Sequence, residues 1–172
     1  NPKSLARHIA AEAVMPGGST RTTLYHAPFP LGIERGAGCL LWDLDDHRYI
    51  DLLGEYTAGI YGHSHPVIRA AIENALHDGI NFGGHTDAEV KLAQVICERF
   101  PSIELVRFTN SGTEATLMAL SAACAYTGRQ KIMVFAGGYH GGAFYFSGGE
   151  SHPVNAPYDF VIAPYNDSAA TT

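Results

Sequence analysis

The sequence predicts an α/β protein with a parallel main sheet, preceded by a small antiparallel lobe. Three observations carry this. In the second half, short apolar runs (Leu105-Val106-Arg107-Phe108, Ile132-Met133-Val134-Phe135, Phe160-Val161-Ile162-Ala163) flank an Ala-rich helical stretch, 113–126. Strand, helix, strand in that order implies parallel pairing with a crossover. Residues 31–53 instead alternate short apolar segments with turn residues (Gly36, Gly38, Asp45-Asp46), the pattern of a meander. Third, many of the 19 glycines fall in pairs (17–18, 83–84, 137–138, 141–142, 148–149), marking turns or close approach to a ligand.

The elements follow in order. Leu5, Ile9 and Ala13 sit at roughly helical spacing, so the chain opens with a helix that stops at Met15-Pro16-Gly17-Gly18, and a polar loop then carries Arg21. The meander contains Leu40-Leu41-Trp42-Asp43 and Tyr49-Ile50-Asp51. Pro66 opens and Gly79 closes a second helix, the proline-first, glycine-last asymmetry of helices. Thr86 and Glu89 have capping-box spacing ahead of a helix over 87–99, which Pro101 ends. The three apolar runs and the Ala-rich helix then make an open three-stranded sheet, and Asn166 to Thr172 reads as the start of another helix. The expected domains are 1–65, the N-terminal segment with the meander, and 66–172, the beginning of a large α/β domain.

Composition removes several classes of function. A formal charge of −6, with eleven scattered Lys and Arg, offers no basic surface for nucleic acid. Apolar runs are short and interrupted by charge, and the N-terminus has no apolar signal-peptide core, so the expectation is a cytoplasmic protein without a membrane span. Cys39, Cys97 and Cys124 are odd in number and far apart, as in a chain of reduced thiols. Gly62-His63-Ser64-His65-Pro66 has two histidines that could chelate, yet no carboxylate or cysteine nearby in sequence completes a metal site.

Chemistry concentrates in two loops. Ser111-Gly112-Thr113-Glu114 places two hydroxyls and a glycine at a helix N-terminus, where free N–H groups and the helix dipole favour an anion such as phosphate. The same tetrapeptide is also an ordinary capping box, and both readings stand at this point. Ala136-Gly137-Gly138-Tyr139-His140-Gly141-Gly142 follows the next strand, at the same carboxyl edge of a parallel sheet, where such proteins bind ligands. Tyr139 there could stack on a flat ring with His140 beside it. A phosphate cup followed by a stacking aromatic describes a phosphorylated aromatic cofactor better than a nucleotide, and neither a P-loop nor a G-x-G-x-x-G fingerprint is present.

These motifs, with Leu41-Trp42-Asp43-Leu44-Asp45, Gly62-His63-Ser64-His65-Pro66, Thr109-Asn110-Ser111-Gly112-Thr113-Glu114-Ala115, Tyr126-Thr127-Gly128-Arg129 and Gly138-Tyr139-His140-Gly141, resemble class III (ω-type) aminotransferases dependent on pyridoxal phosphate (PLP). The resemblance is to the branch shared by glutamate-1-semialdehyde aminomutases and β-amino-acid transaminases. It implies the N-terminal half of a fold-type-I PLP enzyme, a homodimer in which Phe82-Gly83-Gly84-His85-Thr86 reaches toward the neighbour, and a cofactor held by Ser111, Gly112, Thr113, Tyr139 and His140. Aminomutases carry Gly-Gly-Val-Asn-Ser-Pro-Val-Arg where this chain has Gly17-Gly18-Ser19-Thr20-Arg21, so the arginine comes three residues earlier. An arginine fork binds a carboxylate bidentately, and the shift suits a β-amino acid. With Glu55 and Tyr56, Arg21 makes up the implied substrate set, since Glu55 to Gly62 and Leu24 to Pro30 resemble β-phenylalanine aminotransferases.

The expected activity is transamination of an aromatic β-amino acid with a 2-oxo acid. Amine migration of the aminomutase type, and a non-catalytic binding module, are the alternatives. Lys3, Lys91 and Lys131 do not fit the family's Schiff-base lysine motif, so the 172 residues read as a piece of a longer enzyme and are expected to be inactive alone.

Overall fold

The computed structural model describes residues 1–171, the side chain of Thr22 excepted. The chain divides into two compact units, Asn1–Gly84 and His85–Thr172.

The first unit begins with α1 (Pro2–Glu12), whose proline at the first helical position loses no hydrogen bond because that N–H has no partner in the helix. Asn1 gives no side-chain cap. The cap comes from Asp45, far along the chain, which accepts from Lys3 N (3.1 Å) and Ser4 N (3.2 Å). A carboxylate there also complements the helix dipole. Burial pushes the Asp45 carboxyl up, and those two N–H groups outweigh it, leaving it below the usual range.

The meander is β1 (Ile33–Ala37), β2 (Leu40–Asp43) and β3 (Arg48–Ile50), antiparallel in that order, as the alternation predicts. Gly36 faces Leu41, and Leu41 faces Tyr49. Arg35 lies over the Trp42 ring at 3.6 Å, covering its face with a cation. At the β2–β3 turn Asp43, with no exposed surface, accepts from Asp45 N (2.9 Å), His47 N (2.9 Å) and Tyr49 Oη (2.8 Å), and pairs with His47 Nδ1 (3.0 Å). Burial pushes its carboxyl up; the hydrogen bonds from Tyr49, His47 and Asp45 together prevail and hold its pKa at about 2. The same pairing raises the Tyr49 phenol. A short 3₁₀ turn, Gly54–Thr57, precedes α2 (Pro66–His77), which ends as the proline and glycine predict.

In the second unit α3 (Asp87–Arg99) has Thr86 as its N-cap residue, yet the Thr86 side chain makes no cap hydrogen bond, so the expected capping box is not formed there. Asp87 and Glu89 in the first turn act on the helix dipole instead. Helix α4 (Gly112–Thr127) stops at Gly128 in the left-handed conformation, φ 67°. Strands β4 (Lys131–Phe135) and β5 (Asp159–Ala163) pair in parallel, from Lys131 opposite Asp159 to Phe135 opposite Ala163.

Residues 105–108 are not a strand, contrary to the apolar pattern, and the parallel sheet has two strands rather than three. A strand needs a ladder partner, and none lies beside this segment among the described residues; Leu105 is 91% exposed. The β4–β5 connection joins the two parallel strands without a helix. It is an irregular loop, and it carries the core: Phe144 (1% exposed) and Phe146 (0%) pack on Val134, with Phe146 edge-on to Phe160 at 5.0 Å. The surrounding glycines hide those two phenylalanines in the sequence. The final helix, α5, is short (Ser168–Thr171), with Asp167 accepting from Ala170 N at 3.0 Å; Thr172, the end of the expected helix start, lies outside the described residues. Among the described residues no helix is long and apolar enough to cross a membrane.

The Asp43 hub predicts an acid-sensitive first unit. A carboxyl lowered from 3.8 to about 2 contributes stability that is present above pH 3.8 and lost as pH falls through that value toward 2. Thermal melts of the protein and of Asp43→Asn should differ at pH 5 and above and converge by about pH 2. A difference that stays constant down to pH 2 would assign the stabilisation to packing instead.

Candidate functional site

At the start of α4 the box forms in a shifted version, its return bond reaching the residue before the N-cap. Ser111 Oγ accepts from Glu114 N (3.1 Å), and Glu114 Oε2 accepts from Asn110 N (2.8 Å). Thr109 Oγ1 donates to the Ser111 carbonyl at 3.0 Å, which fixes the turn before the cap. Both readings of the tetrapeptide therefore meet here. The box uses Ser111 as an acceptor and leaves its hydroxyl proton, and it leaves the N–H groups of Gly112 and Thr113 without a partner among the described residues. A Cβ on Gly112 would meet nothing within 4 Å, so the space beside those donors is open. Two main-chain donors, a hydroxyl and the positive end of a helix facing open space fit a phosphate.

The loop after β4 is tied to this helix start. Thr113 Oγ1 accepts from Gly142 N at 3.0 Å, and Gly141 (φ 113°) lies so close that a Cβ there would stand 2.5 Å from Thr113 Oγ1 and 2.9 Å from its Cα. Only glycine combines that backbone with that approach. Tyr139, 61% exposed, pairs with Tyr145 through an antiparallel bridge and an edge contact at 6.4 Å. The His140 ring lies over Gly138 and beside Phe146 (6.5 Å). The structure thus joins Thr113 to the Gly141-Gly142 pair, a link the sequence does not display, while His140 is taken up by its own loop.

The other candidate residues belong to the first unit. Arg21 Nη1 forms an ion pair with Glu55 Oε1, both side chains being exposed, and Tyr56 Oη donates to the Thr23 carbonyl at 3.3 Å. An exposed pair of this kind stabilises the fold little. Its effect is orientation, because one donor of the guanidinium is held while Nε and Nη2 have no partner among the described residues. Glu55, Tyr56 and Thr57 all have positive φ (50°, 54° and 78°). Three successive non-glycine residues in this region cost about 1 kcal/mol or more each, so the turn persists only because its surroundings hold it.

Those surroundings centre on Asp51, which sequence reasoning overlooked. Its Oδ1 accepts from Leu53 N (3.0 Å) and Gly54 N (2.9 Å), and its Oδ2 meets His63 Nε2 at 2.7 Å. The Gly54 N–H and the His63 ring hold the Asp51 carboxyl below its usual range. His63 is anchored in turn by a two-way backbone bridge to Gly38 (3.0 and 2.8 Å), with its ring over Gly36. An aspartate three residues ahead of a turn glycine was the available signal.

With a class-III signature on the page at both loops, residues 23–160 match the family Aminotransferase class-III, and the chain belongs to that family. It is 56% identical over 168 residues to the beta-phenylalanine transaminase of Variovorax paradoxus, covering 98% of this chain and 38% of that protein. The crystal structure of the beta-phenylalanine aminotransferase from that organism superposes with a TM-score of 0.93 over 97% of this chain and 39% of the other. A glutamate-1-semialdehyde 2,1-aminomutase of Rhodopirellula baltica is 47% identical over 143 residues, 81% of this chain and 33% of that one. The omega-transaminase from Sphaerobacter thermophilus matches at 39% identity and TM-score 0.86, over 98% of this chain and 43% of that structure. The chain spans about two fifths of the length of the relatives it matches, and the neighbours place it as the N-terminal half of a fold-type-I PLP aminotransferase.

Gly141→Ala should displace the β4–β5 loop from α4, because both the backbone angle and the 2.5 Å approach to Thr113 exclude a methyl group. Amide hydrogen exchange reads it: protection at Gly142 and Phe144 falls in the variant. Unchanged protection would show that the contact is not what fixes the loop.

Proposed function

We propose that the protein carrying this chain is a PLP-dependent aminotransferase that moves the amine of an aromatic β-amino acid, of the β-phenylalanine kind, to a 2-oxo acid. The observation that carries the cofactor reading is the pair of unanswered N–H groups of Gly112 and Thr113 beside open space at the head of α4. The substrate reading is supported by Arg21, three residues earlier than in the Gly-Gly-Val-Asn-Ser-Pro-Val-Arg pattern of aminomutases, and by 56% identity to a beta-phenylalanine transaminase. Amine migration is less well supported, by a relative that is 47% identical over a shorter stretch. The reading includes a cytoplasmic homodimer and a large cofactor domain that begins at residue 66.

In this reading Gly112 and Thr113 hold the phosphate through the main chain, Ser111 adds its hydroxyl proton, and Gly141-Gly142 fix the Thr113 side chain against the loop. Tyr139 offers an exposed ring for stacking on the pyridine, and His140 keeps the loop shaped beneath it. Bound PLP supplies an electron sink for the carbon that bears the amine. Arg21 takes the substrate carboxylate on the guanidinium edge that Glu55 leaves open, and Tyr56 lines the same turn.

In a full-length protein of the relatives' size, β-phenylalanine and 2-oxoglutarate should give glutamate. Arg21→Ala should raise the KM for β-phenylalanine about tenfold or more with a smaller change in kcat, as expected for the loss of a bidentate carboxylate contact. Absence of turnover with β-phenylalanine would sink the substrate assignment. Tyr139→Ala should weaken PLP binding about tenfold, read by titrating the visible absorbance of the bound cofactor. An unchanged titration would remove Tyr139 from the cofactor site.

A further inference from the structure

We propose that Asp51 and His63 are a positioning pair that sets the substrate-carboxylate site, acting through the turn that carries Glu55 and Tyr56. The inference rests on the reading of Arg21 as the carboxylate-binding group. The path is continuous. The β1–β2 hairpin fixes His63 through its two backbone bonds to Gly38, and His63 Nε2 fixes Asp51 Oδ2 at 2.7 Å. Asp51 Oδ1 in turn holds Leu53 N and Gly54 N, the entry to the Gly54–Thr57 turn. The turn presents Glu55 to Arg21 Nη1 and Tyr56 to the Thr23 carbonyl, so both sides of the loop 21–23 depend on it.

Several observations make Asp51 more than an ordinary turn aspartate. Both of its oxygens are used, its side chain is 10% exposed, and the neighbouring His63 side chain is 32% exposed. The turn it holds has three successive non-glycine residues at positive φ, a conformation that relaxes once the restraint is removed. Glu55 and Tyr56 would then lose their alignment, and the Arg21 fork would lose the partner that orients it. Binding of the carboxylate suffers, while the chemistry at the amine, carried by other residues, does not.

The test is a set of double-mutant cycles in the full-length holoenzyme, with β-phenylalanine as the probe. Asp51→Asn keeps an acceptor for Leu53 and Gly54 but weakens the tie to His63, and His63→Gln keeps a donor where His63→Ala has none. Expected are KM increases of about five- to twentyfold for Asp51→Asn and His63→Ala, a smaller one for His63→Gln, and kcat within about twofold. In an Arg21→Ala background the same changes should add less than about twofold, because the site they serve is already gone. Effects that multiply with Arg21→Ala, an unchanged KM, or a parallel loss of PLP absorbance and thermal stability in all three variants would overturn the proposal and leave a purely structural pair. Should Arg21→Ala itself leave KM unchanged, the carboxylate role of Arg21 falls and this proposal with it; a normal Arg21 effect without coupling removes the positioning pair alone.

Discussion

Backbone N–H groups that fall where the chain turns have no ladder or helix to receive them, and leaving them dry and unpaired is costly. In this chain short side chains answer them. Asp45 caps α1, Asp43 closes the β2–β3 turn, Asp51 holds the entry to the Gly54–Thr57 turn, and Ser111 caps α4. Thr113 does the same for Gly142. Each of these acceptors fixes a loop that ordinary strand or helix pairing does not reach. In each unit the candidate residues sit on such loops, so their geometry rests on a handful of oxygens.

Where the candidate residues cluster, the arrangement separates two kinds of recognition. The α4 head offers main-chain donors and a helix dipole, suited to an anion of fixed shape. The first unit offers a guanidinium on a loop, held on one side by an exposed glutamate, suited to a carboxylate that must come and go. An exposed ion pair of this sort exchanges easily, which suits the carboxylate-binding role proposed for Arg21.

Most regular elements were legible because their signals are local. Pro66 and Gly79 bracket α2, the turn residues between Gly36 and Asp46 mark the meander, and the β-branched runs mark β4 and β5. What failed depended on partners that a local pattern does not reveal. Leu105 to Phe108 has the composition of a strand but no neighbour to pair with among the described residues. Thr86 has capping-box spacing but its side chain makes no cap hydrogen bond. Within the candidate site, the Ser111 box and the Tyr139 loop could be read from spacing. The Gly142 bond to Thr113 spans 29 residues and the Asp51 tie to His63 spans 12, and no period or motif announces either. The core phenylalanines 144 and 146 were hidden by their glycine-rich setting, where apolar residues suggest a loop rather than an interior.

The open space beside Gly112 has a consequence for how such a chain changes over time. Every residue except proline supplies the same main-chain donor, so the grip on an anion at α4 tolerates drift in the side chains that line it. In the proposed reading the carboxylate grip depends on one guanidinium, Arg21, and on one aspartate behind it, Asp51, and a single codon alters either. A lineage built this way can trade one amine donor for another while its cofactor seat stays intact, which is one physical route by which related enzymes diverge in substrate and not in chemistry.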